Sequence, residues 1–171
     1  MILTFGTTFR HNELLSSFFA NIFEYRKENK LRAFQEQCAL VYLGEKKVLS
    51  EISLVNATEI EKETLEYLDY VQPDFFLFKD NKYLINKNET KIAGIPDLII
   101  EVWSERNTDL DKLFKHKLYS TGQEHWYLTQ QSNKVECWYG TKQLSDQSLT
   151  QILRTQQGIE FDLRYLALDK Q

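Results

Sequence analysis

The chain holds only two prolines, and an aspartate follows each: Pro73-Asp74 and Pro96-Asp97. The second pair opens Pro96-Asp97-Leu98-Ile99-Ile100-Glu101-Val102, which sets two acids in an otherwise apolar run. An acid inside an apolar strand is costly unless something pairs with it. Glu101 therefore points to a nearby cation, or else to an edge strand or a salt bridge, and residue types alone leave these readings level. If 74–79 pairs antiparallel with 96–101, Asp74 falls opposite Glu101. Side chains so opposed lie roughly 5 Å apart, close enough to share one divalent ion. Asp97 shares a face with Glu101 but stands roughly 13 Å away at strand rise, so a straight strand cannot give both to one metal.

The helix expected over Asp109–Tyr119 is where a counter-charge would come from. Asp111, Lys115 and Tyr119 stand at i, i+4 and i+8 along one side. Leu110, Leu113, Phe114 and Leu118 form a neighbouring apolar stripe, expected to dock on the sheet. Lys115 lies at the edge of that stripe and Lys117 nearer its middle, and periodicity does not choose between them. A surface ion pair between Asp111 and Lys115 is the plainer alternative.

The elements that would position these groups can be read along the chain. His11 to Asn29 carries Leu14, Leu15, Phe18, Phe19, Ile22 and Phe23 at helical spacing, with Thr8 or Asn12 as cap. Cys38–Leu43 and Val48–Val55, broken at Gly44-Glu45, read as a hairpin. Val71–Phe78 and Ile95–Trp103 are β-prone runs separated by a polar loop, with Pro73 and Pro96 at their starts. Gly122 is expected to stop the helix after Tyr119. His125–Leu128 and Val135–Tyr139 follow as strands, and Phe161, Leu163, Tyr165 and Ala167 alternate near the end. One central mixed sheet flanked by helices, an α/β sandwich, accommodates this order.

Bulk properties set the bounds. At 171 residues, 42% hydrophobic and 13% aromatic, the chain suits one ordered domain spanning 1–171. No apolar run approaches the roughly 20 residues of a membrane helix, and Met1–Phe9 lacks the regions of a signal peptide. Cys38 and Cys137 have no metal-ligand spacing, which fits reduced thiols in the cytoplasm. A net charge of −4 weighs against a broad basic surface for nucleic acid, although a nuclease whose carboxylates await cations remains compatible.

From Val71-Gln72-Pro73-Asp74 through Gly94-Ile95-Pro96-Asp97-Leu98-Ile99-Ile100-Glu101-Val102-Trp103-Ser104, the sequence resembles the Uma2 family (DUF820) of restriction endonuclease-like proteins, in the PD-(D/E)xK nuclease superfamily. The match continues through Thr108, Asp111, Lys115, Leu118-Tyr119, Gly122 and Glu124-His125-Trp126. It covers about residues 71–128, and His11 is a weaker match. The superfamily uses an aspartate on one core strand, an acid on the next and a lysine two residues later. Here that last position is Trp103, and the resemblance implies that Lys115 on the following helix stands in for it. Gly122 to Trp126 is one residue shorter than the family spacing and lacks its usual proline.

The resemblance implies a restriction endonuclease-like α/β sandwich and a Mg²⁺- or Mn²⁺-dependent endonuclease that hydrolyses DNA phosphodiester bonds. Asp74 and Glu101 would bind the metal, with Asp97 and Lys115 completing the catalytic set. Lys112, His116 and Lys117 are candidates for the DNA backbone, though solvated helix charges explain each more simply. Ser104 and Thr108 read as turn residues; His11 could lie near the site, although a hydrogen-bonded structural histidine is the plainer reading, and His125 reads as a strand residue. DNA is the expected partner, with a homodimer suited to cutting both strands of a duplex. The competing expectation is a catalytically inactive nuclease-fold module that binds DNA or protein, which the missing strand lysine and the net acidity favour.

Overall fold

The computed structural model describes residues 8–29, 31–35, 38–42, 69–80, 83–86 and 88–169. The first helix, α1 (Phe9–Asn29), begins where Thr8 Oγ1 accepts a hydrogen bond from the His11 amide at 3.2 Å. Of the two expected caps, Thr8 therefore takes the role. Strands β1 (Leu31–Gln35), β2 (Ala39–Tyr42), β3 (Phe75–Lys79), β4 (Tyr83–Ile85), β5 (Lys91–Gly94) and β6 (Leu98–Trp103) follow. The second described helix, α2 (Asp109–Tyr119), leads into β7 (Glu124–Thr129) and β8 (Lys134–Tyr139). Short strands β9 (Lys142–Gln143), β10 (Gln147–Ser148), β11 (Leu153–Arg154) and β12 (Glu160–Phe161) complete the described elements with a 3₁₀ turn at Arg164–Leu166.

Among the described residues the main sheet has seven strands, in the order β1-β3-β6-β7-β8-β10 with β9 on β8. It is mixed: β6 and β7 run parallel, and their neighbours pair antiparallel. A parallel pair cannot be joined by a tight turn, so α2 is the crossover between β6 and β7. A three-stranded sheet, β2-β5-β4, and the β11–β12 pair stand apart from it. This is the restriction endonuclease-like α/β architecture. Among the described residues no helix is long and apolar enough to cross a membrane.

β6 lies between two sheet neighbours and alternates between two unlike layers. Leu98, Ile100 and Val102 join the core under α1, with Leu14, Leu15, Phe18 and Ile22 of that helix and Phe75, Leu77 and Trp126 of the sheet. Ile99, with Trp103 packed at its margin, belongs to a second cluster that includes Phe76, Phe78, Tyr119 and Tyr127. The larger core is stitched by aromatic contacts, Phe18 meeting Phe161 at 5.0 Å and Phe75 at 5.7 Å.

Several expectations change. The polar loop between the two Pro-Asp runs contains the β4–β5 hairpin, closed where Asn86 Oδ1 accepts from the Thr90 and Lys91 amides at 2.8 Å. Asn86 is the turn signal that the loop's polarity concealed. Cys38–Leu43 contributes β2, which pairs parallel with β5; Val48–Val55, its expected hairpin partner, lies outside the described residues. Gly122 is no left-handed stop, since it is not among the positive-φ residues. α2 ends instead at Ser120, whose amide and hydroxyl both donate to the His116 carbonyl, at 2.9 and 2.6 Å. The alternating tail forms only β12 and the 3₁₀ turn, with Tyr165 exposed.

The apolar stripe on α2 is the largest correction. Of the stripe only Leu118 packs against the sheet cluster; Leu110, Leu113 and Phe114 are 75%, 63% and 62% exposed, and the helix turns Lys115, His116 and Tyr119 toward the sheet instead. The sheet surface beneath explains this orientation. It carries Glu101, which is buried, and this orientation of the helix gives each of its oxygens a donor.

Candidate functional site

β3 and β6 pair with Phe75 opposite Ile100, Phe76 opposite Ile99 and Leu77 opposite Leu98. One residue further in the same register, Asp74 stands across from Glu101. This is the register expected from the sequence. Asp74 lies just before β3, where its Oδ2 accepts from the Val102 amide at 2.7 Å. Its Oδ1 lies 3.3 Å from His11 Nε2, delivered by the first turn of α1. Both side chains are largely enclosed.

Glu101 is 1% exposed, and each of its oxygens has a partner from α2. Lys115 Nζ donates to Oε2 at 2.6 Å, and the Tyr119 hydroxyl donates to Oε1 at 2.6 Å. Lys115 and Tyr119 reach one carboxylate because residues four apart on a helix stack on one face. Burial, reinforced by the charge of Asp74, pushes the Glu101 carboxyl up to about 7 despite both hydrogen bonds. Burial and then Glu101 itself push the Tyr119 phenol well above its ordinary value, so the hydroxyl stays a donor.

The remaining sequence candidates separate clearly. Asp97 sits at the far end of β6, four residues from Glu101, and is not brought to the Asp74–Glu101 pair. Its Oδ2 accepts from the Lys79 amide at 2.6 Å and its Oδ1 from Gln157 Nε2 at 3.0 Å. That closes the β3–β6 end, a structural contact. Asp111 forms the capping box with Thr108, and this hydrogen bonding lowers its carboxyl. Lys115 goes to Glu101, and Lys117 is exposed. Trp103, two residues after Glu101, stacks on Tyr127 at 4.2 Å, with Lys112 Nζ 5.3 Å over its ring.

Two groups beside the pair were under-read from sequence. His11 lies beside the site, touching Asp74; its sequence signals are the weaker family match and its place in the first turn of an amphipathic helix. Tyr119 was noted for its spacing from Lys115, and that spacing is what brings it to Glu101. His125, by contrast, is enclosed among His116, Tyr127 and Trp138, and burial lowers its imidazole to about 4. It is a neutral packing residue.

The pair suits a hard divalent cation. Asp74 stands opposite Glu101 in the strand register, and its charge adds to the burial that raises Glu101, an effect that bound positive charge would offset. Mg²⁺ takes oxygen ligands and commonly one or two carboxylates, its other positions going to water and phosphate oxygens. Among the described residues there is no cluster of three or more His, Cys, Asp and Glu able to hold a metal. A cation here would therefore rest on these two carboxylates.

No family model matches the chain, and no curated protein sequence matches it. A solved structure does share the fold: the crystal structure of "a putative nuclease belonging to DUF820" from Anabaena variabilis. The two are 14% identical with a TM-score of 0.63, over 95% of this chain and 84% of that one. DUF820 is also the family whose motifs residues 71–128 resemble. The shared fold carries the likeness well past that segment, to α1 and the strands beyond β7.

Proposed function

We propose that this chain is a Mg²⁺-dependent endonuclease that hydrolyses DNA phosphodiester bonds, with Asp74 and Glu101 as metal ligands and Lys115 as the catalytic cation. The observation that carries this reading is the Asp74–Glu101 opposition across β3 and β6, with the Lys115 ammonium 2.6 Å from Glu101. A metal held there would supply an activated water and offset charge on the phosphoryl oxygens. Lys115 is a fixed donor at the same corner, placed to stabilise negative charge developing on phosphate. The Tyr119 hydroxyl fixes the Glu101 carboxylate from its other oxygen. His11 and the Val102 amide fix the two oxygens of Asp74, so both acids are oriented before substrate arrives. Asp97 belongs to the framework of the strand pair in this reading and not to the chemistry.

The test is cleavage of a defined DNA panel with Mg²⁺ or Mn²⁺ by wild type, Asp74→Ala and Lys115→Ala. Cleavage that needs metal and is lost in both variants is expected. Absence of metal-dependent cleavage, or cleavage surviving both substitutions, sinks the assignment. One observation favours a second reading, a nuclease-fold binding module without catalysis. Both Glu101 oxygens already have protein donors, so the site is satisfied without a metal. DNA binding without metal-dependent cleavage would select that reading.

A further inference from the structure

We infer that the outer face of α2 is a self-association surface, on which a second copy of this chain packs its own α2 antiparallel. Leu110, Leu113 and Phe114 lie at i, i+3 and i+4, one stripe on the side of the helix away from Lys115 and Tyr119. All three are more than three-fifths exposed, and contiguous large apolar groups of this kind mark interaction sites. The stripe is presented on a well-defined rod. The Thr108–Asp111 capping box fixes one end of α2, and Tyr119 is buried against the sheet at the other.

The charges on α2 select the occupant and its direction. Asp109 in the first turn and Lys117 in the last flank the stripe, whereas Asp111 is held by Thr108 and His116 is turned to Tyr127. Lys117 continues the stripe at i+7 from Leu110. Two copies related by a two-fold axis near Leu113 and Phe114 would run antiparallel. That sets Leu113 of each against Phe114 of the other, and Lys117 of each against the partner's acidic first turn. A parallel pair would instead set like charges together at both ends. Only antiparallel self-pairing satisfies the apolar middle and both charged ends with one sequence, as an isologous interface requires. The surface lies across the helix from Glu101, so association leaves the Asp74–Glu101 pair uncovered. Self-association of this kind does not depend on nuclease activity.

Sedimentation velocity of the whole chain, from sub-micromolar to hundreds of micromolar, tests it. The wild type is expected to pass from monomer to dimer with a micromolar midpoint, because so small an apolar patch must offset the cost of association. Leu113→Glu and Phe114→Glu should stay monomeric throughout with unchanged far-ultraviolet circular dichroism. Lys117→Asp should shift the midpoint at least tenfold to higher concentration, and adding Asp109→Lys to it should recover most of that shift. A wild type that remains monomeric, as it would if another part of the chain covers the stripe, overturns the inference. So does a dimer that persists in Leu113→Glu, and a charge exchange without recovery overturns the antiparallel pairing.

Discussion

The two helices that flank β6 are held to the sheet by opposite means. α1 buries Leu14, Leu15, Phe18 and Ile22 against Leu98, Ile100 and Val102, and its site contribution, His11, comes from one end. α2 buries a lysine, a histidine and a tyrosine side of itself over Ile99, Glu101 and Tyr127, and leaves its largest apolar residues outside. The first contact is driven by area removed from water. The second is driven by the need of one enclosed carboxylate for donors. One strand therefore serves as a core element on one face and as the wall of a polar site on the other.

The largest effect that tests this contrast is in the α1 layer. Phe18→Ala empties a fully buried position between Phe75 and Phe161 and should cost about 3–5 kcal/mol in denaturant unfolding. A loss under about 1 kcal/mol would mean that this layer is not the principal core. In the α2 layer the matching change is functional. Lys115→Ala should lower metal-dependent cleavage by about 10²–10³-fold, as expected for loss of one preorganised donor. Retention of cleavage by Lys115→Ala together with its loss in Lys117→Ala would move the catalytic cation to the opposite face of α2.

Much of the α1 layer was legible in the sequence, and the α2 layer was legible only in part. Apolar spacing alone locates α1, because nothing in its core face competes with hydrophobic burial. The strand register was also readable: Asp74 and Glu101 are each fixed by a Pro-Asp or apolar run whose centres imply one pairing. The rotation of α2 was not readable from its own residues. Leu110, Leu113 and Phe114 form the better apolar face, but which face docks is set by Glu101 on a different element. His11 carried only a weak signal for the same reason, since its partner Asp74 is distant in sequence. Periodicity reports what a segment can bury, and a buried charge elsewhere decides what it does bury.

Titration separates the electrostatic layer from the apolar one. Glu101 rises from an ordinary 4.5 to about 7 in the folded chain, so between those values the unfolded chain gives up its proton first. Its contribution to stability is complete below pH 4.5 and is lost as pH rises through 7, on the order of 3 kcal/mol in full. Glu101→Gln, compared with wild type in the absence of divalent ions, should be of similar stability near pH 4 and clearly more stable near pH 8. A difference that does not change with pH would show that Glu101 is not the enclosed acid described. His125 acts in the opposite sense. Its imidazole falls from 6.5 to about 4, so its contribution is present above 6.5 and lost as pH falls toward 4. His125→Phe should therefore gain on wild type by about 1–2 kcal/mol near pH 5, with little change in the difference above pH 7.

The smallest expected effect bears most directly on the contrast between the helices. Had α2 docked by its apolar stripe, as its sequence suggests, Leu113→Ala would empty a core position and cost about 2–5 kcal/mol. With Leu113 63% exposed, the same substitution removes little buried area and keeps a good helix former. Its stability should then lie within about 0.5 kcal/mol of wild type. The measurement belongs at sub-micromolar concentration, where self-association does not add to the apparent stability. A loss in the core range at that dilution would mean that α2 lies on the sheet by its leucines. Lys115 could then not reach Glu101, and the site as described would come apart along with the helix's orientation.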